Sequence, residues 1–560
     1  MIRNLICSLI IVCFSLLSSG QNTVGVTLDT GDSLEGYTFF SPFSSTQAYM
    51  VDNCGRLINQ WNRGTRPGLS AYFLPTGNML RTYKVDTEGP FTSASNAGGL
   101  ELVDWENNTL WKYELNNSTQ LSHHDAVAMP NGNFLLLTWE LEFTEDLIAW
   151  GRDPDEIAPQ GFMWSEKIIE IEPVDSEGGN IVWEWNIKDH YIQDFDADKL
   201  NFGAVKDHPE LYDINFADIN SSNSNASRDW NHFNAIDYNE ALDQILISVR
   251  NSDEIWIIDH STTIEEAATH VGGTYGKGGD ILYRWGNPAA YKRGTLDDQQ
   301  LYGQHGVNWI DTESEDEGSI MIFNNGNGRP GIDFSTTELL ETPQSDPGFY
   351  SIPEMEAIGP ETSELLFGSM DENPRYSAFL SNSQRLSNGN TLMNYGSSGT
   401  IVEFADSGDK VWEYVIPLNF DAPLTQGSNP GANSTFRAYK YEKEYIGFTE
   451  IDLISGSTLQ IENNSFECSL TSTENIYNKN IAELNIAVDL RDRKIEIRHL
   501  NGWIEAIRLY NINGHIVKNM KSINSKDMTI DIDGIVMGLY ILIIEDEQGR
   551  LNRQRLIFTF

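Results

Sequence analysis

The sequence is poor in basic residues, which argues against a nucleic-acid partner. It has 37 lysines and arginines against 82 aspartates and glutamates among 560 residues, which gives a formal net charge of −45. Nucleic-acid binding depends on basic surfaces that neutralise phosphates, so we expect none here. An acidic surface favours solubility instead, and an anionic small-molecule substrate would need a local cluster of positive or hydrogen-bond-donating groups.

Long apolar runs are missing beyond the start of the chain. The one run, Leu5–Leu17, follows Arg3 and leads into small residues that end at Gly20. This order is typical of a secretory signal peptide, so we expect residues 1–20 to be cleaved off; a buried N-terminal helix is the alternative. Because no later run approaches the roughly 20 apolar residues of a membrane span, we expect no stable span and a secreted or cell-surface protein exported through the periplasm.

Cysteine is scarce as well, with four residues in the chain. Cys7 and Cys13 fall in the predicted signal peptide, which leaves Cys54 and Cys468. Export permits a disulfide, but these two cysteines fall in different predicted domains, so we expect them to be unpaired. The chain has no Cys-x-x-Cys spacing of the kind that binds zinc.

Helical periodicity is rare, and short turn-and-strand units recur in its place. One unit contains a Gly-Asn turn followed by apolar residues, as in Pro75–Leu80, Pro130–Leu135 and Ser387–Leu392. Asn and Gly adopt the positive φ angles that tight hairpins need. The other unit is a strand, a polar turn and a strand that ends in tryptophan, with clear copies at Trp61, Trp111 and Trp412 and looser copies at Trp185 and Trp285.

These repeats predict an all-β fold. Short antiparallel strands in a repeat of roughly 50 residues are typical of a propeller, and we expect a six-bladed β-propeller over residues 35–448. Five blades fall between residues 65 and 417. The sixth combines Tyr37–Trp61 with a strand near Phe436–Tyr441, which removes the open edges of the ring. A pair of β-sandwiches would explain the strands but not the repeat.

A polar linker, 449–478, and a strand-rich segment, 479–560, follow the predicted propeller. The period-two alternation of Lys494–Arg498 predicts a small C-terminal β-sandwich. Its Asn-x-x-Gly turn and the late strand Gly538–Ile541 resemble the C-terminal sorting domain of the type IX secretion system. This resemblance implies the type IX secretion machinery as a partner, whereas a carbohydrate-binding or adhesion module is the alternative from the fold alone.

Histidine is also infrequent, with ten residues, and four of them occupy corresponding places. His123 and His124, His232, and His305 each precede a predicted strand of a different blade. The inner strands of a propeller begin at its central channel, so we expect these imidazoles to converge on one axial pocket. Arg250, at the end of a predicted strand, is expected to join them.

Such a cluster suits an anionic sulfate ester. The arginine fork matches an oxyanion group in geometry and keeps its charge. A neutral imidazole is a nucleophile that can hold a sulfuryl group, and further imidazoles can move protons. Two alternatives stay open, namely histidines with structural hydrogen bonds and a metal site, since three histidines can bind zinc. We predict no metal here because Arg250 would repel a divalent cation.

The residues of this cluster resemble the active-site motifs of the PAPS-independent aryl-sulfate sulfotransferases, a family with a six-bladed propeller. The resemblance rests on Asp229–Asn234, His123–Asp125, Gln304–His305 and Arg250, which follows His232 by eighteen positions. It implies that His305 is the nucleophile that becomes sulfated. The residues that it places around the sulfuryl group and phenol oxygens are His232, Arg250 and one of His123 and His124, of which we favour His124. Asn234 is counted with the substrate-binding residues and is expected to hold the His232 loop.

The implied reaction is a ping-pong transfer from an aryl sulfate to a phenol, with no nucleotide or other cofactor. Two other functions stay open. One is a non-catalytic propeller that binds glycans or proteins, and the other is an aryl sulfatase in which water replaces the phenol. We also expect the long insertion 186–228, which contains Tyr191, Phe195 and Phe202, to form a lid or a platform for the acceptor.

Overall fold

The computed structural model describes residues 22–216, 228–311, 314–368, 375–449, 451–461, 484–489, 493–499, 502–511, 516–532, 535, 538–548 and 551–558. The predicted signal peptide, Cys468 and residues 462–478 of the predicted linker lie outside them. Regular structure within them is almost entirely β-strand, so the predicted all-β class is confirmed. No helix in these ranges has the length and apolar character needed to cross a membrane.

Thirty-one strands precede residue 443 in the part of the chain that the structure describes. In chain order they are β1 (Gly25–Asp29), β2 (Gly36–Pro42), β3 (Gln47–Asp52), β4 (Leu57–Asn62), β5 (Pro67–Phe73), β6 (Met79–Lys84), β7 (Gly98–Val103), β8 (Thr109–Glu114), β9 (Gln120–Ala128), β10 (Phe134–Phe143), β11 (Phe162–Pro173), β12 (Gly179–Asn186), β13 (Tyr191–Ile192), β14 (Tyr212–Asp213), β15 (Phe233–Asn239), β16 (Gln244–Val249), β17 (Glu254–Asp259), β18 (Ile281–Trp285), β19 (His305–Trp309), β20 (Ile320–Asn324), β21 (Thr336–Leu340), β22 (Gln344–Asp346), β23 (Phe349–Tyr350), β24 (Glu364–Phe367), β25 (Asn382–Arg385), β26 (Thr391–Tyr395), β27 (Thr400–Phe404), β28 (Lys410–Val415), β29 (Leu418–Asn419), β30 (Ala422–Pro423) and β31 (Thr435–Glu442).

Helices are short. The α-helices among the described residues are α1 (Thr144–Ala149) and α2 (Ile264–Ala267), and 3₁₀ turns occupy Pro154–Glu156, Ile187–His190, Val205–Asp207, Arg250–Ser252, Pro288–Tyr291, Leu296–Asp298, Gly396–Ser398 and Ile446–Phe448. Helix α2 begins with a capping box, in which Thr263 and Glu266 each accept a backbone N–H of the other. Such boxes satisfy the free N–H groups at a helix start, which explains a helix in so short a segment.

Six antiparallel sheets follow one another along this part of the chain. Their strand orders are β31-β2-β3-β4 (sheet 1), β5-β6-β7-β8 (sheet 2), β9-β10-β11-β12 (sheet 3), β15-β16-β17-β18 (sheet 4), β19-β20-β21-β24 (sheet 5) and β25-β26-β27-β28-β1 (sheet 6). The first strand of each sheet contacts the first strand of the next, and β25 of sheet 6 contacts β31 of sheet 1. The six first strands therefore form a closed series. The N-terminal and C-terminal strands of this part of the chain meet in sheet 1, where β2 pairs with β31.

The tryptophans that end the repeated unit connect neighbouring sheets. The indole N–H groups of Trp61, Trp111, Trp185, Trp285 and Trp412 donate to the carbonyls of Asp104, Gly178, Gly279, Pro360 and Asn53, respectively, at 2.7–2.9 Å. Each acceptor lies in the sheet that follows, and that of Trp412 in sheet 6 lies in sheet 1. These five indoles are at most 4 % exposed. A buried indole stabilises a fold when its N–H has a partner, so one repeated residue type holds five of the six contacts between sheets.

The strands between these contacts are buried on both faces. All six residues of β16 and all six of β17 are buried, and Ile247 and Trp256 pack with Leu137 and Trp183 of sheet 3 in one core cluster. The repeated turns also have their expected geometry, since Gly77, Gly132 and Gly389 have φ angles of 79°, 90° and 86°. Gly relieves the steric cost of that conformation.

A second, smaller group of sheets occupies the C-terminal segment. Its strands are β32 (Leu484–Asp489), β33 (Lys494–His499), β34 (Ile504–Asn511), β35 (Ile516–Met520), β36 (Asp527–Asp531), β37 (Gly538–Asp546) and β38 (Leu551–Phe558). They form two antiparallel sheets, β32-β33-β36 and β35-β34-β37-β38. Side chains of both sheets, such as Ile495 and Leu509, share one core cluster.

One expectation from the sequence was wrong. Cys54 is disulfide-bonded, and its partner lies outside the described residues; oxidation suits an exported chain. In the insertion 186–228, whose role as a lid or platform stays a prediction, Tyr191 is 3 % exposed and packs in the core on Trp150 and Trp230. Phe195 and Phe202 are about half exposed.

Candidate active site

Irregularities in the first strands of sheets 3, 4 and 5 set the direction of the candidate side chains. The residues His123–Asp125 of β9 lie opposite a single residue of β10, because the register shifts between them. The register also shifts at Asn234 in β15 and after His305 in β19. Bulges of this kind re-aim side chains and are common beside active sites.

His123 is held in the interior by a carboxyl group. Its Nε2 lies 2.9 Å from Glu166 Oε2, and its ring stacks on Trp139 at 4.4 Å. Burial lowers the pKa of His123 to about 3, so its ring is neutral at pH 7, and burial raises the pKa of Glu166 well above its usual range. Glu166 also accepts the backbone N–H of Phe233. His123 therefore helps to connect sheet 3 to sheet 4.

His124 faces the other histidines. It is 1 % exposed, and its ring centroid lies 5.2 Å from that of His232 and 5.1 Å from that of Phe436. Burial, followed by the positive charge of neighbouring groups, lowers the pKa of His124 well below 6.5, which keeps the ring neutral. Among the described residues, its Nδ1 has no hydrogen-bond partner, so it can serve a ligand.

His232 precedes β15 in a left-handed conformation, with a φ of 52°. Strained backbone of this kind is concentrated at functional sites. The Nδ1 of His232 lies 2.7 Å from Asp229 Oδ2; because a carboxylate accepts, Nδ1 carries the hydrogen. The carbonyl of His232 accepts the backbone N–H of Arg250 at 3.2 Å, which keeps these two residues adjacent.

His305 is oriented by an asparagine. Its Nδ1 lies 2.8 Å from Asn325 Oδ1 and 3.0 Å from the carbonyl of Gly303. The amide of Asn325 is itself fixed, since its Nδ2 donates to the carbonyls of Ser377 and Leu380. Both neighbours of Nδ1 are acceptors, so Nδ1 carries the hydrogen and Nε2 has the lone pair, which accepts the backbone N–H of Leu380 at 3.3 Å.

Two arginines give this site its positive potential. Burial, and then the charges of Arg250 and Arg437, lower the pKa of His305 well below its usual value. Arg250 begins the 3₁₀ turn after β16 and donates Nη1 to Asn251 Oδ1 at 2.8 Å. A guanidinium has five N–H groups, so one such bond leaves donors for an anion. This local positive charge is the cluster that an anionic substrate would need in so acidic a protein.

Arg437 in β31 is a central residue that the sequence motifs do not reveal. It is buried, donates to the carbonyls of Ser381 and Asn234 at 2.6 and 3.0 Å, and lies 3.5 Å from Asp125 Oδ2. Its guanidinium stacks over the ring of Phe436, 3.8 Å from the centroid. It thus connects sheets 1, 3, 4 and 6 at the point where their first strands meet.

Asn234 joins the segments of two candidate histidines. Its Nδ2 donates to the carbonyl of Gln304 at 2.7 Å, directly before His305. The side chain of Gln304 donates in turn to the carbonyl of Glu254 at 2.7 Å. The side chain of Glu254 accepts two hydrogen bonds from Arg284. The His232 and His305 segments are therefore fixed relative to each other by amide groups.

A family comparison places this site in a known group of enzymes. A model of the arylsulfotransferases matches residues 82–416, which is more than half of the chain and contains all the histidines and Arg250 described above. The chain belongs to the arylsulfotransferase family. A model of the secretion system C-terminal sorting domain matches residues 482–558 of the chain, which supports export to the cell surface or the medium and the involvement of secretion machinery.

The solved structures that are similar to this chain have low TM-scores. A protein of unknown function from Bacteroides caccae has a TM-score of 0.37 and 10% identity, covering 68% of this chain and 93% of its own. The β-propeller domain of Cps50 (Swd1) from Myceliophteria thermophila has a TM-score of 0.34 and 9% identity, covering 71% of this chain and 91% of its own. Virginiamycin B lyase from Staphylococcus aureus has a TM-score of 0.29 and 10% identity, covering 71% of this chain and 89% of its own. No curated protein matches the chain.

Proposed function

We propose that this protein transfers a sulfuryl group from an aryl sulfate to a phenol by a ping-pong mechanism in which His305 is sulfated. The observation that supports this proposal best is the orientation of His305. Asn325 and Gly303 accept the hydrogen of Nδ1, so Nε2 carries the lone pair, which exchanges its 3.3 Å hydrogen bond from the N–H of Leu380 for a bond to sulfur. A buried imidazole whose pKa is lowered stays unprotonated at neutral pH and is a competent nucleophile.

In the first half-reaction, Nε2 of His305 forms a bond to sulfur while the bond between sulfur and the phenolic oxygen breaks. The departing phenolate takes a proton from Nε2 of His232, whose imidazolium is stabilised by Asp229 through Nδ1. Arg250 and the Nδ1 of His124 bind the sulfuryl oxygens, where fixed donors stabilise the charge of the transition state. The products are the free phenol and sulfated His305.

The second half-reaction reverses these steps with another phenol. His232, now neutral, accepts the proton of the phenol while the phenolic oxygen attacks sulfur. The bond between Nε2 of His305 and sulfur breaks, and the lone pair returns to the imidazole. Atoms and protons balance over the cycle, because His232 regains the proton that it gave up. Water in place of the phenol would give hydrolysis.

The surroundings of the adjacent histidines favour His124 over His123 as the catalytic residue. His123 is engaged with Glu166 and stacked on Trp139, whereas His124 lies beside His232. Two guanidinium groups near His305 favour an anion over a metal ion in this pocket. Asn234 takes the role of a residue that positions the His232 loop, because its amide binds the His305 segment.

We also propose that the six sheets are the blades of a β-propeller over residues 35–448, followed by the linker 449–478 and a C-terminal β-sandwich over 479–560. The closed series of contacts between first strands supports the ring, and the shared core of the two C-terminal sheets supports the sandwich. The site then lies on the ring axis, where side chains from several blades converge. The signal peptide 1–20 and passage through the periplasm belong to the same proposal.

The proposal is tested with the mature protein, 4-nitrophenyl sulfate as donor and phenol as acceptor. We expect nitrophenol release that depends on added phenol, and a mass increase of one sulfuryl group on His305 when the acceptor is left out. His305→Ala and His305→Asn should abolish both. Arg250→Lys should lower kcat/KM by about 100-fold, because an ammonium cannot reproduce the fork.

Controls separate chemistry from folding. His208→Ala removes an exposed histidine that pairs with Glu210 and should leave turnover unchanged, and circular dichroism establishes that the inactive variants are folded. Release without acceptor at the same rate would indicate a hydrolase. Sulfation of a folded His305→Asn variant, or inactivity of the folded wild type toward a panel of aryl sulfates, would contradict the mechanism.

A further inference from the structure

Two histidines and an aspartate meet away from the candidate active site. His190 ends the 3₁₀ turn after β12, and His270 and Asp280 lie at the two ends of the connection between α2 and β18. The Oδ1 of Asp280 is 2.8 Å from Nδ1 of both histidines. One ligand atom of each residue lies within 4.8 Å of the others, and this is the one such group of histidine, cysteine and acidic side chains among the described residues.

The hydrogen bonds of His190 leave a lone pair directed at the carboxylate. Its Nε2 lies 2.9 Å from the carbonyl of Ala267; a carbonyl only accepts, so Nε2 carries a hydrogen. A neutral imidazole has one N–H, so the lone pair of Nδ1 then faces Asp280, which also offers only lone pairs. His190 is 1 % exposed and stacked on Trp185, and a cation between its Nδ1 and Asp280 would let it keep this neutral form.

A bound metal ion would remove this conflict. Metal-ligating histidines almost always donate their other ring N–H to a carbonyl or a carboxylate, as Nε2 of His190 does to Ala267. Zinc takes imidazole nitrogen and carboxylate oxygen at roughly 2.0–2.2 Å in tetrahedral geometry. Neighbouring ligand atoms are then about 3.3 Å apart, which falls between the 2.8 Å contacts and the 4.8 Å limit of this group.

The backbone around His190 is fitted closely to it. A Cβ on Gly279 would lie 2.7 Å from His190 Nε2 and 2.0 Å from the carbonyl of Ala267, so only glycine lets the chain pass there. The carbonyl of Gly279 accepts the indole N–H of Trp185 at 2.7 Å. The loop that contains His270 and Asp280 is thus held against His190. His270 is exposed on its outer side, which leaves room for a water as fourth ligand.

We propose that His190, His270 and Asp280 bind a structural zinc ion, with solvent completing the tetrahedron. The ion would attach the glycine-rich segment 269–280 of sheet 4 to the end of sheet 3, beside the Trp185 contact. This proposal concerns stability and is independent of the sulfuryl-transfer mechanism.

The experiment uses the mature full chain without a polyhistidine tag. The protein is stripped with a chelator, dialysed and titrated with zinc chloride by calorimetry, and with cobalt chloride by visible absorption. We expect one equivalent of zinc per chain, intense ligand-field bands of four-coordinate cobalt, and a higher melting temperature after zinc is restored.

Matched variants decide where the metal binds. His270→Ala changes an exposed residue, and Asp280→Asn keeps the shape of the side chain; both should lose the equivalent of zinc and the zinc-dependent rise in melting temperature. His208→Ala, an exposed histidine in the same insertion, should keep them. The proposal is overturned if the stripped wild type takes up no zinc, if His270→Ala takes up as much as wild type, or if uptake is lost in His232→Ala instead.

Discussion

Single protons decide what each histidine of the site can do. His123 and His124 are adjacent, yet one faces Glu166 and Trp139 and the other faces His232. His232 and His305 both donate from Nδ1 to a fixed oxygen, a carboxylate in one case and an amide in the other. The carboxylate stabilises an imidazolium and suits a residue that exchanges protons. The neutral amide fixes the ring without favouring its charge and suits a nucleophile.

The first prediction concerns Asn325, which acts through His305 as a positioning residue. Asn325→Ala removes the oxygen that holds the Nδ1 hydrogen, so sulfation of His305 should slow by about 10² to 10⁴-fold with little change in KM. Asn325→Asp keeps an acceptor but adds a negative charge that raises the pKa of His305. The acid limb of its pH profile should therefore move to higher pH, as measured by single-turnover release of nitrophenol.

A matched control for Asn325 is Asn53. It is 4 % exposed and donates to the carbonyl of Leu34 in sheet 1, so Asn53→Ala removes a comparable hydrogen bond away from the candidate site. It should affect melting and not sulfation. A folded Asn325→Ala protein with the wild-type rate of sulfation would exclude the positioning role.

At the scale of strands and sheets, polar contacts at the ends of elements determine which sheets adjoin. His260, directly after β17, lies 3.2 Å from Glu170 in β11 and 2.6 Å from Asp243 in the turn before β16. Burial opposes the charge of His260, but these hydrogen bonds raise its pKa to about 9. The charged imidazole therefore connects sheets 3 and 4 on the side of the Trp183 ring.

The second prediction is a loss of stability at alkaline pH. The folded pKa of His260 lies above its unfolded value of about 6.5, so its contribution of about 3 kcal/mol is complete below pH 6.5 and is lost as pH rises through 9. His260→Gln stays neutral throughout. Calorimetry should show wild type melting above His260→Gln at pH 6 and the difference vanishing near pH 10. Parallel melting curves over this range would refute the assignment.

Local chemistry made the elements of the fold predictable. The Gly-Asn turns and the strand-ending tryptophans were visible in the sequence, because positive φ angles and buried indoles need particular residue types. The register shifts that aim His123–Asp125 and His305 have no such mark, since a bulge arises from pairing with a partner strand. Arg437 in β31 and Asn325 directly after β20 were also missed, because neither lies in a recognisable motif.

At the scale of the whole molecule, the chain separates an acidic exterior from a small positive interior. The net charge of −45 surrounds a site where Arg250 and Arg437 lower the pKa of a buried histidine. Residues 82–416 and the C-terminal residues 482–558 match different family models. The proposed catalysis and the export signal therefore belong to separate parts of the chain. Truncation can test that separation.

The third prediction compares two truncated chains. A chain that ends at Asn480 keeps β31 and lacks the residues matched by the sorting domain; it should fold and transfer sulfuryl groups, but stay inside the outer membrane. A chain that ends at Gly431 also lacks β31, which pairs with β2, and should not fold, because an unpaired edge is left. Cell fractionation, melting and turnover measure these outcomes; an active chain ending at Gly431 would contradict them.

The pairing of β2 with β31 also orders events during biogenesis. A chain that leaves the inner membrane with its N-terminus first presents the edge of β2 long before its partner strand emerges. During that interval the edge can bind the same strand of another molecule, and crowding of nascent chains would promote such mispairing. Sheet 1 therefore cannot be completed until residues 435–442 have emerged.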